Sequence, residues 1–291
     1  IHRMPSTIPF LSIKIFVFRW PDSEEMSWER VLGRVSFINC DPVFHSLDDR
    51  WSILAAPPSW LTGHLLRKDC ITAPIPTADY ASHQDELVLI SDIGIVGREE
   101  VGSVLLFGNR PLESMRDIAL PSDSSTSRKL LTWILNERGL DPKLVEMGPD
   151  IDSMLDNCDG ALIIGDRAIS AAYSDPSIVQ MDLSREWTDI TGYPMVFGVF
   201  AARKDSHMGY VNEAREAMLE QYYRFLEDEQ VKMSVIDNAS RNARISVDRV
   251  SAYFDHEVTN LMDEESLRGL ELFLGKVCGV ESPPSWIGPS I

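Results

Sequence analysis

The hydrophobic pattern switches repeatedly between the period of a strand and that of a helix. Residues 33–40, GRVSFINC, alternate as a buried strand does and stop at the turn signal Asp41-Pro42. A short amphipathic helix is predicted over 59–68, with Trp60, Leu61, Leu65 and Leu66 on its apolar positions, and a second strand over 71–75 ends at Pro76. Two short strands are predicted at 87–90 and 93–96, and a stronger one at 101–107, VGSVLLF.

The middle third keeps a strict β-α-β-α-β rhythm. Strands are predicted at 117–120, 144–147, 160–165 (GALIIG, fully apolar) and 178–183. Helices are predicted at 126–138, 151–157 and 167–173, the first with Leu130, Leu131, Ile134 and Leu135 on one face and Gly139 as its stop. Such alternation predicts a mainly parallel sheet covered by helices. Residues 194–202, PMVFGVFAA, read as a long apolar strand. Beyond it three helices are predicted, at 211–226, 229–242 and 246–278, the last broken near Asp263, with no strand between them. A two-lobed α/β architecture explains this order: lobe one from 27–104, lobe two from 105–200, and a return to lobe one over 201–291, entered through the strand around 197–201. The cleft between the lobes is then the expected ligand site, because pockets favour domain interfaces and the carboxyl ends of parallel strands.

Composition narrows the partners. The chain has 291 residues, of which 44% are hydrophobic and 25% charged, as in ordinary globular proteins. Its formal net charge of −18 disfavours nucleic acid and anionic lipid, since both begin binding at a cationic patch, but leaves room for a small anion held by local donors. Cys40, Cys70, Cys158 and Cys278 are scattered singly, and the six histidines have no metal-ligand spacing. A reducing, cytoplasmic setting without metal or other cofactor is expected. Residues 1–26 contain the apolar run IPFLSIKIFVFR, which Lys14 interrupts and no small-residue cleavage site follows. They are expected to be a disordered or artefactual extension, with a failed export signal as the lesser alternative.

Three places carry candidate chemistry. In Ser36-Phe37-Ile38-Asn39-Cys40-Asp41-Pro42 polar side chains gather at the carboxyl end of a strand, where they serve a ligand or only shape a turn. Ser122–Ser127 stand at a strand-to-helix junction, where free amides and hydroxyls attract anions or simply cap the helix. Gly165-Asp166 closes the GALIIG strand, as a cleft acid or an N-cap. No nucleophile elbow, phosphate loop or dinucleotide fingerprint is present in the sequence. On pattern alone, the chain is a two-lobed binder of a small anion, with or without an enzymatic activity.

A resemblance sharpens this. RVSFINCDPVF (34–44), PIPTADYA (74–81), VGSVLLF (101–107), IALPSDSSTSRKLL (118–131), GALIIGDRA (160–168), DLSREWTDITGYPMVFGVFAAR (182–203) and YFDHEVTNLMDEESLRGLELF (253–273) resemble, in order, the motifs of the chorismate dehydratases of the futalosine route to menaquinone. The resemblance implies a type 2 periplasmic-binding-protein-like fold and the conversion of chorismate to 3-[(1-carboxyvinyl)oxy]benzoate and water, in a monomer or homodimer. By residue match it implies Asn39 and Ser103 as catalytic residues. Ser36, Thr77, Ser124, Thr126, Ser127, Asp166 and Thr191 follow as substrate-binding groups, with Asp166 and Thr191 at the rim or one layer behind the groups that touch the substrate. The sister lyase that forms 1,4-dihydroxy-6-naphthoate opens differently and uses a histidine base, whereas no histidine lies between His83 and His207 here. A non-enzymatic solute-binding protein on the same scaffold is the alternative from another class.

The chain departs from the family pattern at Glu99-Glu100 (usually Gly-Pro), at Ser125 (usually Arg) and at Lys68-Asp69-Cys70-Ile71. Two added acids at the cleft mouth and a lost arginine are expected to weaken the binding of a dianion.

Overall fold

The alternation of strand and helix is realised as two separate sheets. The computed structural model describes residues 27–287, so the predicted extension 1–26 lies outside the described residues. In chain order the first elements are β1 (Val31–Val35), a 3-10 turn (Ile38–Cys40), α1 (Asp41–Phe44), β2 (Ser52–Ala56), α2 (Pro58–Leu66), β3 (Thr72–Pro76), α3 (Thr77–His83) and β4 (Leu87–Gly97). The second sheet is built from β5 (Val104–Gly108), β6 (Asp117–Pro121), α4 (Ser125–Glu137), β7 (Lys143–Met147), α5 (Ile151–Asn157), β8 (Gly160–Ile164), α6 (Asp166–Ser174) and β9 (Val179–Asp182). The chain returns through α7 (Leu183–Thr191) and β10 (Met195–Arg203) to α8 (Met208–Glu227), α9 (Glu229–Ala243), α10 (Val247–Ala252), a π turn (Tyr253–Glu257), β11 (Val258–Leu261), α11 (Glu264–Lys276) and β12 (Trp286–Ile287).

The first sheet has the order β11-β4-β10-β3-β1-β2, with β12 also beside β4, and the second the order β7-β6-β8-β5-β9. Both are mixed, not mainly parallel. The chain leaves the first sheet along β4 and comes back along β10, so β10 runs antiparallel to both β4 and β3. In the second sheet β5 is antiparallel to β8 and β9, while β6 is parallel to β7 and β8. Because β10 pairs in the first sheet along its length, residues 195–200 belong there and not to the second lobe.

Other expectations are corrected in the same way. The strand predicted over 33–40 ends at Val35, and Pro42 near the start of α1 forces the chain into helix by way of the 3-10 turn. The strands predicted at 87–90 and 93–96 are one strand, β4, kinked at Asp92, whose φ of 70° places it in the left-handed region and whose carboxylate pairs with Arg215. The predicted last helix is broken by the π turn and by β11, an edge strand on β4. α7 and β2 have no predicted counterpart.

Side-chain burial explains the remaining order. All five residues of β8 are buried, which suits a strand with neighbours on both sides and helices over it. α4 buries Leu130, Leu131, Ile134 and Leu135, and its N-cap Ser124 accepts a hydrogen bond from the Ser127 amide. α7 starts at the N-cap Asp182 and stops at Gly192, where φ is 77°. Its Trp187 is fully buried, with ring centroids 5.3 Å from Trp133 of α4 and 5.9 Å from Phe273 of α11. This aromatic row joins the two lobes behind the cleft, and truncating such a residue to alanine costs about 3–5 kcal/mol. Asp182 also fixes the crossover between the sheets: one carboxylate accepts from the amides of Val101 and Gly102 as well as those of Ser184 and Arg185.

Candidate active site

Three segments meet across a cleft of about 560 Å³ between the sheets. The 3-10 turn after β1 contributes Asn39, the residue just before β5 is Ser103, and the start of α4 contributes Ser124, Thr126 and Ser127. Phe37, Phe197, Ile95, Val104 and Ile164 supply apolar walls. Apolar walls with a few convergent polar groups are the pattern of small-molecule sites.

Each polar group has a defined surrounding. The Oδ1 of Asn39 is buried and has no hydrogen-bond partner in the protein, an arrangement that a ligand's donor would complete. Ser103 is 4% exposed, and its Oγ lies 3.1 Å from the phenol oxygen of Tyr253 in the π turn. Burial of Tyr253 raises its phenol pKa well above the ordinary value, so the group stays neutral and available as a donor. Ser124 caps α4 with its oxygen, leaving its O–H free to donate. Thr126 accepts from the Ala78 amide at 3.1 Å, a bond from the first lobe to the second, and also keeps its O–H. The first amides of α4 have no partner within the helix, and the helix dipole adds to their pull on an anion.

No residue lining the cleft, among those described, carries a side chain that titrates near neutrality. Ionisable groups lie just behind it. Asp41, 3% exposed, pairs with Arg34 under the Asn39 turn, and burial pushes its carboxyl up to about 6 against the pull of that arginine. Burial lifts the Cys40 thiol to about 12, which makes it inert. The described residues contain no group of three or more His, Cys, Asp or Glu able to hold a metal ion.

The structure thus brings together five of the residues singled out from sequence: Asn39, Ser103, Ser124, Thr126 and Ser127. It does not bring the others to the cleft surface. Ser36 is exposed at the end of β1. Thr77 is fully buried, and its hydroxyl donates to the Val196 carbonyl at 2.7 Å, pinning β10 to β3's end. Thr191 donates to the Trp187 carbonyl at 2.8 Å, inside its own helix. Asp166 accepts from the Ile38 amide at 3.1 Å through Oδ1, behind the cleft lining.

Sequence reasoning also missed contributors. Phe197 is the one partly buried position inside β10, apart from Arg203 at its end, a break in pattern visible only once the strand is placed. Tyr253 lies in a quoted motif, but nothing in its spacing links it to Ser103. Gly165 packs directly beneath Phe37: at φ 65°, a Cβ there would come within 2.6 Å of the ring.

The departures from the family pattern fall away from the cleft surface. Glu99 and Glu100 are exposed and turn to Arg185 at 3.4 and 3.5 Å. Ser125 lines an outer groove with Arg128 and Lys129. Lys68, at φ 63°, shapes the turn after α2 and pairs with Asp205 at 3.1 Å.

Comparison with known proteins gives the chain a family and a fold. A family model described as menaquinone biosynthesis matches residues 31–278. A chorismate dehydratase of Thermus thermophilus is 32% identical over 192 residues, which cover 60% of this chain and 70% of that protein. Among solved structures, a protein from Archaeoglobus fulgidus superposes with a TM-score of 0.70 at 18% identity, covering 86% of this chain and 97% of that one. The periplasmic aliphatic sulphonate binding protein of Escherichia coli gives a TM-score of 0.59 at 16% identity, covering 90% and 94%. The alkanesulfonate-binding protein of Xanthomonas axonopodis pv. citri, bound to MOPS, gives 0.62 at 13% identity, covering 85% and 93%. The fold is therefore of the periplasmic-binding-protein-like type. No helix among the described residues is long and apolar enough to cross a membrane.

Proposed function

Since the chain belongs to the menaquinone biosynthesis family, we propose that it is a chorismate dehydratase, a carbon–oxygen lyase acting in the cleft between the two sheets. One observation carries the reading at the level of the site. The unpartnered Oδ1 of Asn39 shares an apolar-walled cleft with Ser103 and with the hydroxyl-rich start of α4.

The chemistry follows from the substrate. Chorismate bears a ring carboxylate, an enol-pyruvyl ether and, on the neighbouring carbon, a hydroxyl. Removing the ring proton beside the ether leaves a carbanion conjugated through the diene to the ring carboxylate. Expulsion of the neighbouring hydroxyl, with a proton, then yields water and an aromatic ring. The gain in aromaticity drives the second step, so the protein has to orient, exclude water and stabilise developing charge.

In this proposal the first turn of α4, with Ser124, Thr126 and Ser127, holds one carboxylate, and Ser103, oriented by Tyr253, holds the other. Asn39 Oδ1 accepts from the hydroxyl and orients it, and the proton that the substrate carboxylate takes from the ring is returned to that hydroxyl as it leaves as water. Because the lining side chains are neutral, the proton acceptor is a carboxylate of the substrate itself. All four cysteines are free, which supports a reducing, cytoplasmic setting.

Incubating the purified protein with chorismate, and following loss of the diene absorbance and formation of 3-[(1-carboxyvinyl)oxy]benzoate, tests the proposal. The likeness to sulphonate-binding proteins supports a second reading, a carrier of organic anions. Tight binding of chorismate with its quantitative return would favour that reading and exclude dehydration.

A further inference from the structure

We propose that Asp166 is a positioning residue for Asn39, acting across the cleft through the Ile38 backbone. The inference rests on the proposed role of Asn39 in dehydration. The Phe37-Ile38-Asn39 segment belongs to the first lobe, and Gly165-Asp166-Arg167 to the second. They meet at three points. The Phe37 ring lies against the bare backbone of Gly165, where a Cβ would approach ring carbons to 2.6 Å. Asp166 Oδ1 accepts from the Ile38 amide at 3.1 Å. The Arg167 guanidinium stands 5.4 Å from the Phe37 ring centroid.

The middle contact matters most for Asn39. Ile38 opens the 3-10 turn, so its N–H has no partner within the turn, and the second lobe supplies the acceptor. Asn39 is the next residue, so this bond sets the direction in which the turn presents its amide. The Asn39 Oδ1 has no hydrogen bond within the protein to hold it. Arg167 extends the connection, since it pairs with Asp123 at 2.5 Å, one residue before the α4 N-cap. The two ends of the proposed substrate site are therefore tied to one strand-to-helix corner.

The ionisable groups facing Asp166 are Arg34, Asp41 and Arg167, with Cys40 and Tyr253 behind them. Burial raises the Asp166 carboxyl to about 6. A protonated carboxyl is the poorer acceptor, so the Ile38 bond weakens as pH falls through that value.

Two variants test this. Asp166→Ala is expected to lower kcat about 10- to 100-fold with KM changed less than about threefold, the loss expected when a reacting group is displaced by about 1 Å. Asp166→Asn keeps an acceptor oxygen, and is expected to restore most of kcat and to lack the wild type's fall in kcat below pH 6. Hydrogen exchange at the Ile38 amide is expected to quicken in Asp166→Ala and not in Asp166→Asn. Unchanged kcat in Asp166→Ala, a pure rise in KM, or an asparagine variant as slow as the alanine one would overturn the inference while leaving the dehydratase reading intact. A wild type that leaves chorismate untouched overturns the reading and the inference with it.

Discussion

The Ser103 hydroxyl and the Tyr253 phenol stand 3.1 Å apart, one at the mouth of the second sheet and the other in the π turn that precedes β11. Both are nearly fully buried, so each is the other's means of satisfying a polar group away from water. The pair fixes the serine rotamer from behind, leaving one face of its oxygen to the cleft. Tyr253→Phe is therefore expected to lower kcat/KM for chorismate about fivefold, consistent with loss of one neutral hydrogen bond worth about 1 kcal/mol. Ser103→Ala is expected to cost more, because it removes the group that meets the ligand. Steady-state kinetics on both variants checks the order.

Asn39→Ala removes the cleft's unpartnered acceptor without touching the Arg34–Asp41 pair beneath it. The expected loss is roughly 100- to 1000-fold in kcat, as for other well-placed electrostatic groups, with an unchanged melting temperature. Near-normal turnover would take Asn39 out of the mechanism.

Ser124→Ala deletes an N-cap and a hydroxyl of the anion grip together. Loss of the cap is expected to cost about 1 kcal/mol of stability, and loss of the donor to raise KM severalfold. Ser127→Ala keeps the cap and so separates the two effects: a raised KM with little change in melting temperature. Thermal melts alongside chorismate kinetics check both.

Glu99 and Glu100 face Arg185 on an exposed surface, where such pairs contribute about 0–1 kcal/mol. The double variant Glu99→Gln, Glu100→Gln is expected to retain stability within that range and to bind chorismate no more than about twofold differently. A large gain in affinity would show that these acids repel the substrate after all.

Much of this was legible in the sequence, and the failures have physical causes. α4 and β8 stood out because one carries a full apolar face and the other is apolar throughout, patterns that burial on both sides of a sheet demands. α7 was missed because only Leu183 and Trp187 mark its apolar side, although Asp182 and Gly192 bracket it as cap and stop. β11 was missed because four residues at a sheet edge, two of them half exposed, carry no period of their own. Among the site residues, Thr77 and Thr191 misled for a common reason: a buried hydroxyl bonded to a backbone carbonyl looks, in sequence, like one that faces a ligand. Asp166 stands at the expected corner of the fold, one layer behind the cleft, where its Oδ1 meets the Ile38 amide.

Stability should respond to acid in an unusual direction. Asp41 and Asp166 have carboxyls raised from 3.8 to about 6 by burial. Between those values the folded chain keeps protons that the unfolded chain has released, so stability falls as pH rises through the window. The melting temperature is expected to be higher at pH 5.5 than at pH 7.5, and Asp166→Asn to flatten part of that slope. Relief of the net negative charge works in the same sense. Melting curves across this range, in constant salt, check the sign.

The pairing of β4 with β10 also has a consequence for biogenesis. These neighbours in the first sheet are separated by about a hundred residues, which form the whole second sheet. Joining ends that far apart in a flexible chain costs roughly 4 kcal/mol in loop entropy, a cost that falls away if the intervening segment has already condensed. During synthesis the nested lobe emerges complete while the outer sheet still lacks a central member. Its early folding brings the two ends of the interruption side by side, and the amino-terminal strands wait on it to acquire their missing neighbour.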